Sequence, residues 1–198
     1  MRIFLLIIVY LYLILSYNPK QQYVVNSLYF LWEKAKPILE KHNINYFACA
    51  GSLLGARRDG GIIIHDDDID IGVLDNEMYK LTTKEFISDL EKSNLYIKSI
   101  DSPPVMKIFS QELQGKFFID IFSYSIEYDK IIFTKEKNRR LWPEEYFYTS
   151  EFHPLTQYQF GSHTIQGPSN PDGFLERAYG KDWNIPKKSH NHYEEIGI

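Results

Sequence analysis

Four aspartates within five positions constrain this chain more than any other feature. The carboxylates stand at positions 66–68 and 70, directly after His65 and the apolar residues 62–64. Crowded carboxylates repel one another, so at neutral pH some take up protons unless a cation lies among them. No cysteine and only one histidine adjoin the run, so the residue types favour a hard cation such as Mg²⁺ or Mn²⁺.

The acidic run alternates with isoleucines, which predicts a strand over residues 62–74. On a strand, Asp66, Asp68 and Asp70 point to one face, and Asp67 points to the other. Asp68 and Asp70 then lie about 7 Å apart, which lets their carboxylates converge on one ion. Asp66 lies further along the same face and is a weaker candidate ligand. Asp67 is not expected to be an equivalent ligand.

A fifth aspartate, Asp120, lies within apolar residues 117–122 of a predicted strand over residues 116–124. A carboxylate in an apolar strand is costly to bury unless it is paired or binds a cation. The alternative is an exposed position at the edge of a sheet. Asp120 is therefore a candidate to bind a cation if its strand is buried.

Length and composition narrow the class of protein. The chain has 198 residues, 44% apolar and 16% aromatic, which fits one folded domain rather than a disordered chain. Its net charge is −4 and it has no long basic run, so nucleic acid is not an expected partner. Cys49 is the single cysteine, which excludes an intrachain disulfide, and its apolar neighbours predict a buried thiol.

The N-terminus carries the second strong signal, an uninterrupted apolar run over residues 3–15. A helix over residues 3–17 is about 22 Å long, shorter than a hydrocarbon core of about 30 Å. We expect residues 1–17 to form a single-pass signal anchor in the membrane, with the catalytic part in the lumen of the secretory pathway, of the Golgi or endoplasmic reticulum type. The alternatives are a cleaved signal peptide, which gives a secreted protein, and a helix buried in the fold.

The remaining periodicity predicts helices and strands of one domain over residues 20–198. Predicted helices cover residues 20–42, 76–92 (with Asp75 as its cap) and 171–179 (ended by Gly180). Predicted strands cover residues 45–50, 62–74, 95–100, 105–109, 116–124 and 131–134. Residues 51–61 contain four glycines and predict a short helix and a loop whose amides approach an anion closely.

Residues 51–58, followed by the acidic segment 66–71, resemble the LicD family, and a looser set of matching residues runs from 153 to 183. That family includes bacterial phosphocholine transferases and the fukutin and fukutin-related proteins. The resemblance spans about residues 23 to 192 and implies a nucleotidyltransferase-like α+β fold, with a mixed β-sheet flanked by helices. One departure is the pair Ile64-His65, where members often carry Pro-Trp.

The resemblance implies a reaction. Members transfer a phospho-alcohol, of the phosphocholine or ribitol-phosphate type, from a CDP-linked donor to a hydroxyl of a glycan acceptor and release CMP. It implies catalytic and metal-binding roles for Asp68, Asp70 and Asp120, with Mg²⁺ or Mn²⁺ as cofactor. Three roles stay open for Asp66: a direct ligand of the ion, a residue that orients a metal-bound water, or a ligand of a second ion. Asp120 is the expected acceptor of the hydroxyl proton.

The same resemblance assigns the donor phosphate to Gly51, Ser52 and Arg58. A guanidinium suits a diphosphate, although Arg58 has the alternative of a salt bridge to Asp59. Two other functions stay open, a catalytically inactive glycan- or nucleotide-binding member of the same fold and another nucleotidyltransferase.

Overall fold

A computed structural model describes residues 18–186 of the chain. Within that range the α-helices are α1 (Pro19–Lys41), α2 (Ala50–Arg58), α3 (Lys84–Lys92), α4 (Glu136–Leu141), α5 (Thr149–Phe152) and α6 (Asp172–Tyr179). The strands are β1 (Tyr46–Ala48), β2 (Asp68–Leu74), β3 (Leu95–Asp101), β4 (Pro104–Ser110), β5 (Phe118–Glu127), β6 (Lys130–Phe133), β7 (Phe147–Tyr148), β8 (Leu155–Phe160) and β9 (His163–Pro168). A 3-10 helix, Asp75–Thr82, precedes α3.

A mixed sheet forms the centre of the described domain. Its strand order is β1-β2-β5-β4-β3, and β6 pairs with β5 while β7 pairs with β6. β2 and β5 are parallel, and every other pair in this sheet is antiparallel. β8 and β9 form a separate antiparallel hairpin. The predicted mixed sheet with flanking helices is therefore confirmed.

The helix α1 begins where the sequence predicts and covers the sheet with one face. The Asn18 side chain accepts hydrogen bonds from the amides of Lys20 and Gln21, and Pro19 occupies the first helical position, where its missing N–H is harmless. The buried face repeats at three and four residues: Val24, Leu28, Leu31, Trp32, Ala35, Ile38 and Leu39. The helix also reaches the β8–β9 hairpin, because Trp32 Nε1 donates to the Thr164 carbonyl at 3.2 Å.

Aromatic rings fill the core beside β1 and β2. The Phe47 ring lies 4.7 Å from that of Phe152 and 5.2 Å from that of Tyr124, both edge-on. Gly72 of β2 leaves the space for this cluster. A Cβ at Gly72 would overlap the Phe47 ring and come within 2.9 Å of Tyr124 Cδ2.

Two predicted elements are wrong in extent. The strand begins at Asp68 and not at residue 62, because residues 62–67 form a turn. The helix predicted over residues 76–92 is divided, since Thr83 caps α3 with its side chain and Asp75–Thr82 winds as a 3-10 helix. Its predicted cap is also wrong: Leu74 occupies the N-cap position, and Asp75 is the first residue of the 3-10 helix.

The predicted apolar helix over residues 3–17 lies outside the described residues, so the structure gives it no support. Among residues 18–186, no helix is both long and apolar enough to span a bilayer.

The close approach at Gly72 makes a prediction about stability. Gly72→Ala should lower the free energy of unfolding by about 1–3 kcal/mol, because the added methyl group must displace packed rings. Urea unfolding followed by circular dichroism measures this change. Ile126→Thr, at an exposed position of β5, is the control and should change stability by less than about 0.5 kcal/mol. Equal stability of Gly72→Ala and the wild type would contradict the packing described.

Candidate functional site

The strand register places three charged side chains in one row across the sheet. Asp70 of β2 is the register partner of Asp120 of β5, and Asp120 is in turn the partner of Lys107 of β4. Side chains of register partners point to the same face, and Asp68 lies two residues from Asp70 on that face. Carboxylate oxygens of Asp68, Asp70 and Asp120 all lie within 4.8 Å of one another. The predicted convergence of these three aspartates is what the structure shows.

Asp68 and Asp70 line a cleft of about 1000 Å³, and the buried Asp120 carboxylate lies directly behind them, within 4.8 Å of both. One part of its wall is charged or polar and includes Arg58, His65, Lys107 and Glu145 beside the aspartates. The other part is aromatic and comprises Phe118, Phe122, Trp142, Tyr179 and Trp183. The cleft therefore joins an acidic floor to flat apolar surfaces, an arrangement that accommodates a charged ligand with a ring or an alkyl group.

The start of α2 fixes the position of Asp70. The Gly51 amide donates to Asp70 Oδ2 at 3.1 Å, and the Asp70 amide donates to Ser52 Oγ at 2.8 Å. A Cβ at Gly51 would lie 2.6 Å from Asp66 Oδ2, so glycine is needed for the close approach of the carboxylates. Gly51 and Ser52 thus hold an aspartate of the site, and their predicted contact with a donor phosphate stays a prediction.

Asp66 and Asp67 lie in the turn before β2, and the strand alternation predicted for them is wrong. Both line the cleft, and oxygens of Asp66, Asp67 and Asp68 lie within 4.8 Å of one another. The prediction set Asp67 aside because a pleated strand would send it to the opposite face. A turn has no such alternation, so Asp67 is a cleft residue like Asp66.

Other contacts hold this turn in place. The Ile62 amide donates to the Tyr29 hydroxyl at 3.0 Å, and the Gly161 amide of the β8–β9 turn donates to the Gly60 carbonyl at 2.7 Å. His65 Nδ1 lies 2.9 Å from Gln21 Nε2 of α1. α1 and the β8–β9 hairpin therefore both support the segment that carries Asp66 and Asp67.

Arg58 lines the cleft but is engaged within the protein. Its Nε and Nη2 donate to the two carboxylate oxygens of Asp59 at 2.9 and 2.8 Å, and its Nη1 donates to the Trp183 carbonyl at 3.5 Å. The alternative of a salt bridge to Asp59 is the arrangement observed, and phosphate binding by Arg58 stays a prediction.

Sequence reasoning missed Lys107. Its Nζ lies 3.0 Å from Asp120 Oδ1 and 3.4 Å from the centre of the Phe118 ring. The Lys107 side chain is 15% exposed. A single lysine on a predicted strand does not indicate a functional site until the strand pairing is known, because its partner Asp120 lies on another strand.

Glu145 was also missed. It follows α4 in a segment rich in aromatic residues and lines the cleft. Within residues 18–186 its carboxylate makes no salt bridge, and burial raises the pKa of Glu145 to about 7. The absence of a clear periodicity in this segment left no pattern from which to assign the side chain to a site.

Burial and mutual repulsion raise the pKa of every carboxyl group in the triad. Burial first, and then the charge of Asp66 and other aspartates, raises the pKa of Asp68 well above its usual value. Burial and the charge of Asp68 do the same for Asp70. Burial raises the pKa of Asp120 to about 6, against the opposing effect of the Lys107 ammonium. The site therefore holds less negative charge at neutral pH than its composition suggests, unless a cation binds.

The donor set fits a hard divalent ion. Three carboxylates offer oxygen ligands within one small space, and no thiolate or imidazole belongs to the group. The Asp120 Oδ1 atom is buried. It accepts no hydrogen bond from residues 18–186, although it forms the ion pair with Lys107. Asp68, Asp70 and Asp120 are thus the residues that would hold Mg²⁺ or Mn²⁺.

Comparison with known proteins identifies the family. Residues 43–170 match the family described as "LicD/FKTN/FKRP, nucleotidyltransferase domain", and this range includes all three aspartates. The chain belongs to the LicD family. LicD membership suggests a transferase related to phospho-alcohol and nucleotidyl transferases.

Two bacterial relatives resemble the chain over 158 residues, 80% of its length. "Uncharacterized protein RP689" of Rickettsia prowazekii (strain Madrid E) is 35% identical, and the match covers 55% of that protein. "Uncharacterized protein RT0683" of Rickettsia typhi is 33% identical, with 47% of its length covered. This LicD protein therefore spans about half the length of the curated relatives it matches.

The raised pKa values predict how metal binding depends on pH. Without metal, carboxyl groups whose pKa is raised by folding stabilise the fold at low pH, and this contribution is lost as the pH rises through about 6. A divalent ion needs the ionised carboxylates. The increase in melting temperature caused by Mn²⁺ should therefore be largest above about pH 7 and disappear below about pH 6.

Differential scanning fluorimetry across this pH range measures the effect. Asp68→Asn should abolish most of the increase, because one ligand is lost. Asp101→Asn, which changes an exposed carboxylate at the end of β3, is the matched control and should retain it. An increase of the same size at pH 5 and pH 8 would contradict a site made of these carboxylates.

Proposed function

We propose that this LicD protein transfers a phospho-alcohol from a CDP-linked donor to a glycan hydroxyl, with Mg²⁺ or Mn²⁺ as cofactor. The observation that carries the proposal is the convergence of Asp68, Asp70 and Asp120 within 4.8 Å of one another, with Asp68 and Asp70 lining the cleft. Transfer of a phosphoryl group depends mainly on positioning and on neutralising charge, and this site supplies carboxylates for a cation beside a lysine and an arginine.

The proposed reaction is a single displacement at phosphorus. The acceptor oxygen forms a bond to the phosphorus atom that carries the alcohol, and the bond from that phosphorus to the oxygen shared with CMP breaks. CMP leaves with the electron pair of that bond. The proton of the acceptor hydroxyl goes to a carboxylate of the site.

Asp120 is our candidate for the base that takes this proton. Without a bound ion, burial raises the pKa of Asp120 to about 6, so the group is mostly ionised at neutral pH and able to accept a proton. Glu145, with a pKa of about 7 in the same cleft, is the second candidate. A divalent ion held by Asp68, Asp70 and Asp120 would supply charge neutralisation at the diphosphate.

The cleft suits both ends of a CDP-linked donor. Trp142, Tyr179 and Trp183 offer flat surfaces on which a base or a sugar can stack. Arg58 reaches the same cleft, and a diphosphate can compete with Asp59 for its guanidinium group. An inactive binding protein of the same fold would not require three buried or half-buried carboxylates at this spacing.

The reaction is tested by CMP release from a panel of CDP-alcohols, with and without glycan acceptors, in the presence of Mg²⁺. Asp70→Asn should lower CMP release by about 1,000-fold or more, because the variant loses a metal ligand. Asp101→Asn is the control and should retain the wild-type rate. Wild-type-like CMP release by Asp70→Asn would contradict the mechanism.

We also propose that the chain attaches to a membrane through its apolar residues 3–15. Full-length protein expressed in cells should stay in the membrane pellet after carbonate extraction, whereas a variant lacking residues 1–17 should be released. A full-length protein found entirely in the supernatant would contradict this attachment.

A further inference from the structure

The Lys107 ammonium is fixed at the edge of the carboxylate cluster. β4 pairs with β5 so that Lys107 and Asp120 are register partners, and their charged atoms meet at 3.0 Å. The Phe118 ring covers a second side of the ammonium at 3.4 Å from the ring centre. An ammonium has three N–H groups, so it can bind Asp120 and still offer a proton to a ligand in the cleft.

The position of this ammonium matters for how many ions the site accepts. In two-metal sites for phosphoryl transfer the ions lie about 3.5–4 Å apart and share carboxylate ligands. A second Mg²⁺ on Asp120 Oδ1 would lie about 2 Å from that oxygen. Lys107 Nζ already occupies the space beside Asp120 Oδ1, so the ammonium and a second ion on that atom exclude each other.

The charges of the strand aspartates agree with one metal ion at this group. Asp68, Asp70 and Asp120 carry three negative charges when ionised, and one divalent ion together with one ammonium balances them. Asp66 and Asp67 form a separate group that shares only Asp68 with these residues. Asp120 has two carboxylate oxygens, so it can contact the ion through one and Lys107 through the other, which leaves Glu145 as the base for the acceptor proton in the proposed function. Lys98, the register partner of Lys107 on β3, is exposed and lies over Tyr96 instead.

We propose that Lys107 takes the place of a second metal ion, so that the aspartate cluster binds one divalent ion and the ammonium supplies the other positive charge. If the proposed function is right, the same ammonium donates to the diphosphate of the donor and stabilises the negative charge that develops on CMP.

Mn²⁺ alone, followed by electron paramagnetic resonance on the full-length chain without donor, tests the first part. The wild type should show a single uncoupled ion at the cluster. Lys107→Met should bind Mn²⁺ about tenfold more tightly, or take up a second, magnetically coupled ion, because a repelling charge has been removed. Lys107→Arg keeps the charge and should behave like the wild type.

Lys98→Met is the matched control, since it makes the same change on the neighbouring strand, and it should leave Mn²⁺ binding unchanged. A coupled ion pair in the wild type would overturn the proposal, as would unchanged or weaker Mn²⁺ binding by Lys107→Met. Should Lys107→Met fail to fold, the wild-type spectrum decides the question alone.

CMP release tests the contact with the donor. At saturating Mn²⁺, Lys107→Met should lower the rate about 100-fold, and Lys107→Arg should recover part of it. An unchanged rate for Lys107→Met would exclude the donor contact. If the wild type releases no CMP from any donor, the proposed function fails, while the Mn²⁺ measurements still decide whether Lys107 replaces an ion.

Discussion

The parallel, in-register pairing of β2 with β5 is the constraint on which the site depends. Asp70 and Asp120 are partners in this ladder, and the residues on either side of each are isoleucines that are fully buried. A slip of one residue would turn a whole strand over, exposing its isoleucines and sending its aspartate into the core. The apolar core therefore sets the geometry of the polar site, because the register that buries the isoleucines is also the one that brings the carboxylates together.

Crowding the carboxylates works against stability, and the surrounding structure offsets part of this effect. A buried carboxylate without a partner is costly, and the raised pKa values of Asp68 and Asp70 express that cost. The Gly51 amide and the Lys107 ammonium each give one aspartate a partner that does not depend on a bound ion. The fold can thus assemble the cluster without a cation. The repulsion that remains among the carboxylates would be relieved when a cation binds.

Sequence patterns predicted correctly which aspartates of the strands lie together, but they did not predict where strand β2 begins. Alternation of aspartate and isoleucine was enough to group Asp68 with Asp70. The cost of burying a carboxylate made Asp120 a candidate, and the resemblance to the LicD family joined it to the other two. Strand propensity extended the run of isoleucines too far, because residues 62–64 are apolar but belong to a turn fixed by tertiary contacts. That error removed Asp67 from consideration.

Lys107 and Glu145 were beyond sequence reasoning for a different reason. Lys107 owes its place to the register between the neighbouring strands β4 and β5, and Glu145 owes its place to the path of the chain after α4. Neither residue lies in a periodic acidic or glycine-rich pattern. Local sequence patterns identify site residues that lie beside one another in the chain. A site residue that contacts its partner on another strand is recognised when the strand topology is known.

The aspartates of the site form two groups that differ in what holds them in place. Asp68, Asp70 and Asp120 are on paired strands, whose ladder hydrogen bonds fix their backbone positions. Asp66 and Asp67 are on a turn that depends on contacts from α1 and from the β8–β9 hairpin. Paired strands keep metal-binding side chains in a more fixed geometry than loops do. The strand group is therefore suited to hold an ion at one position. The turn group instead owes its position to tertiary contacts, so the helix and the hairpin determine where Asp66 and Asp67 lie relative to the strand group.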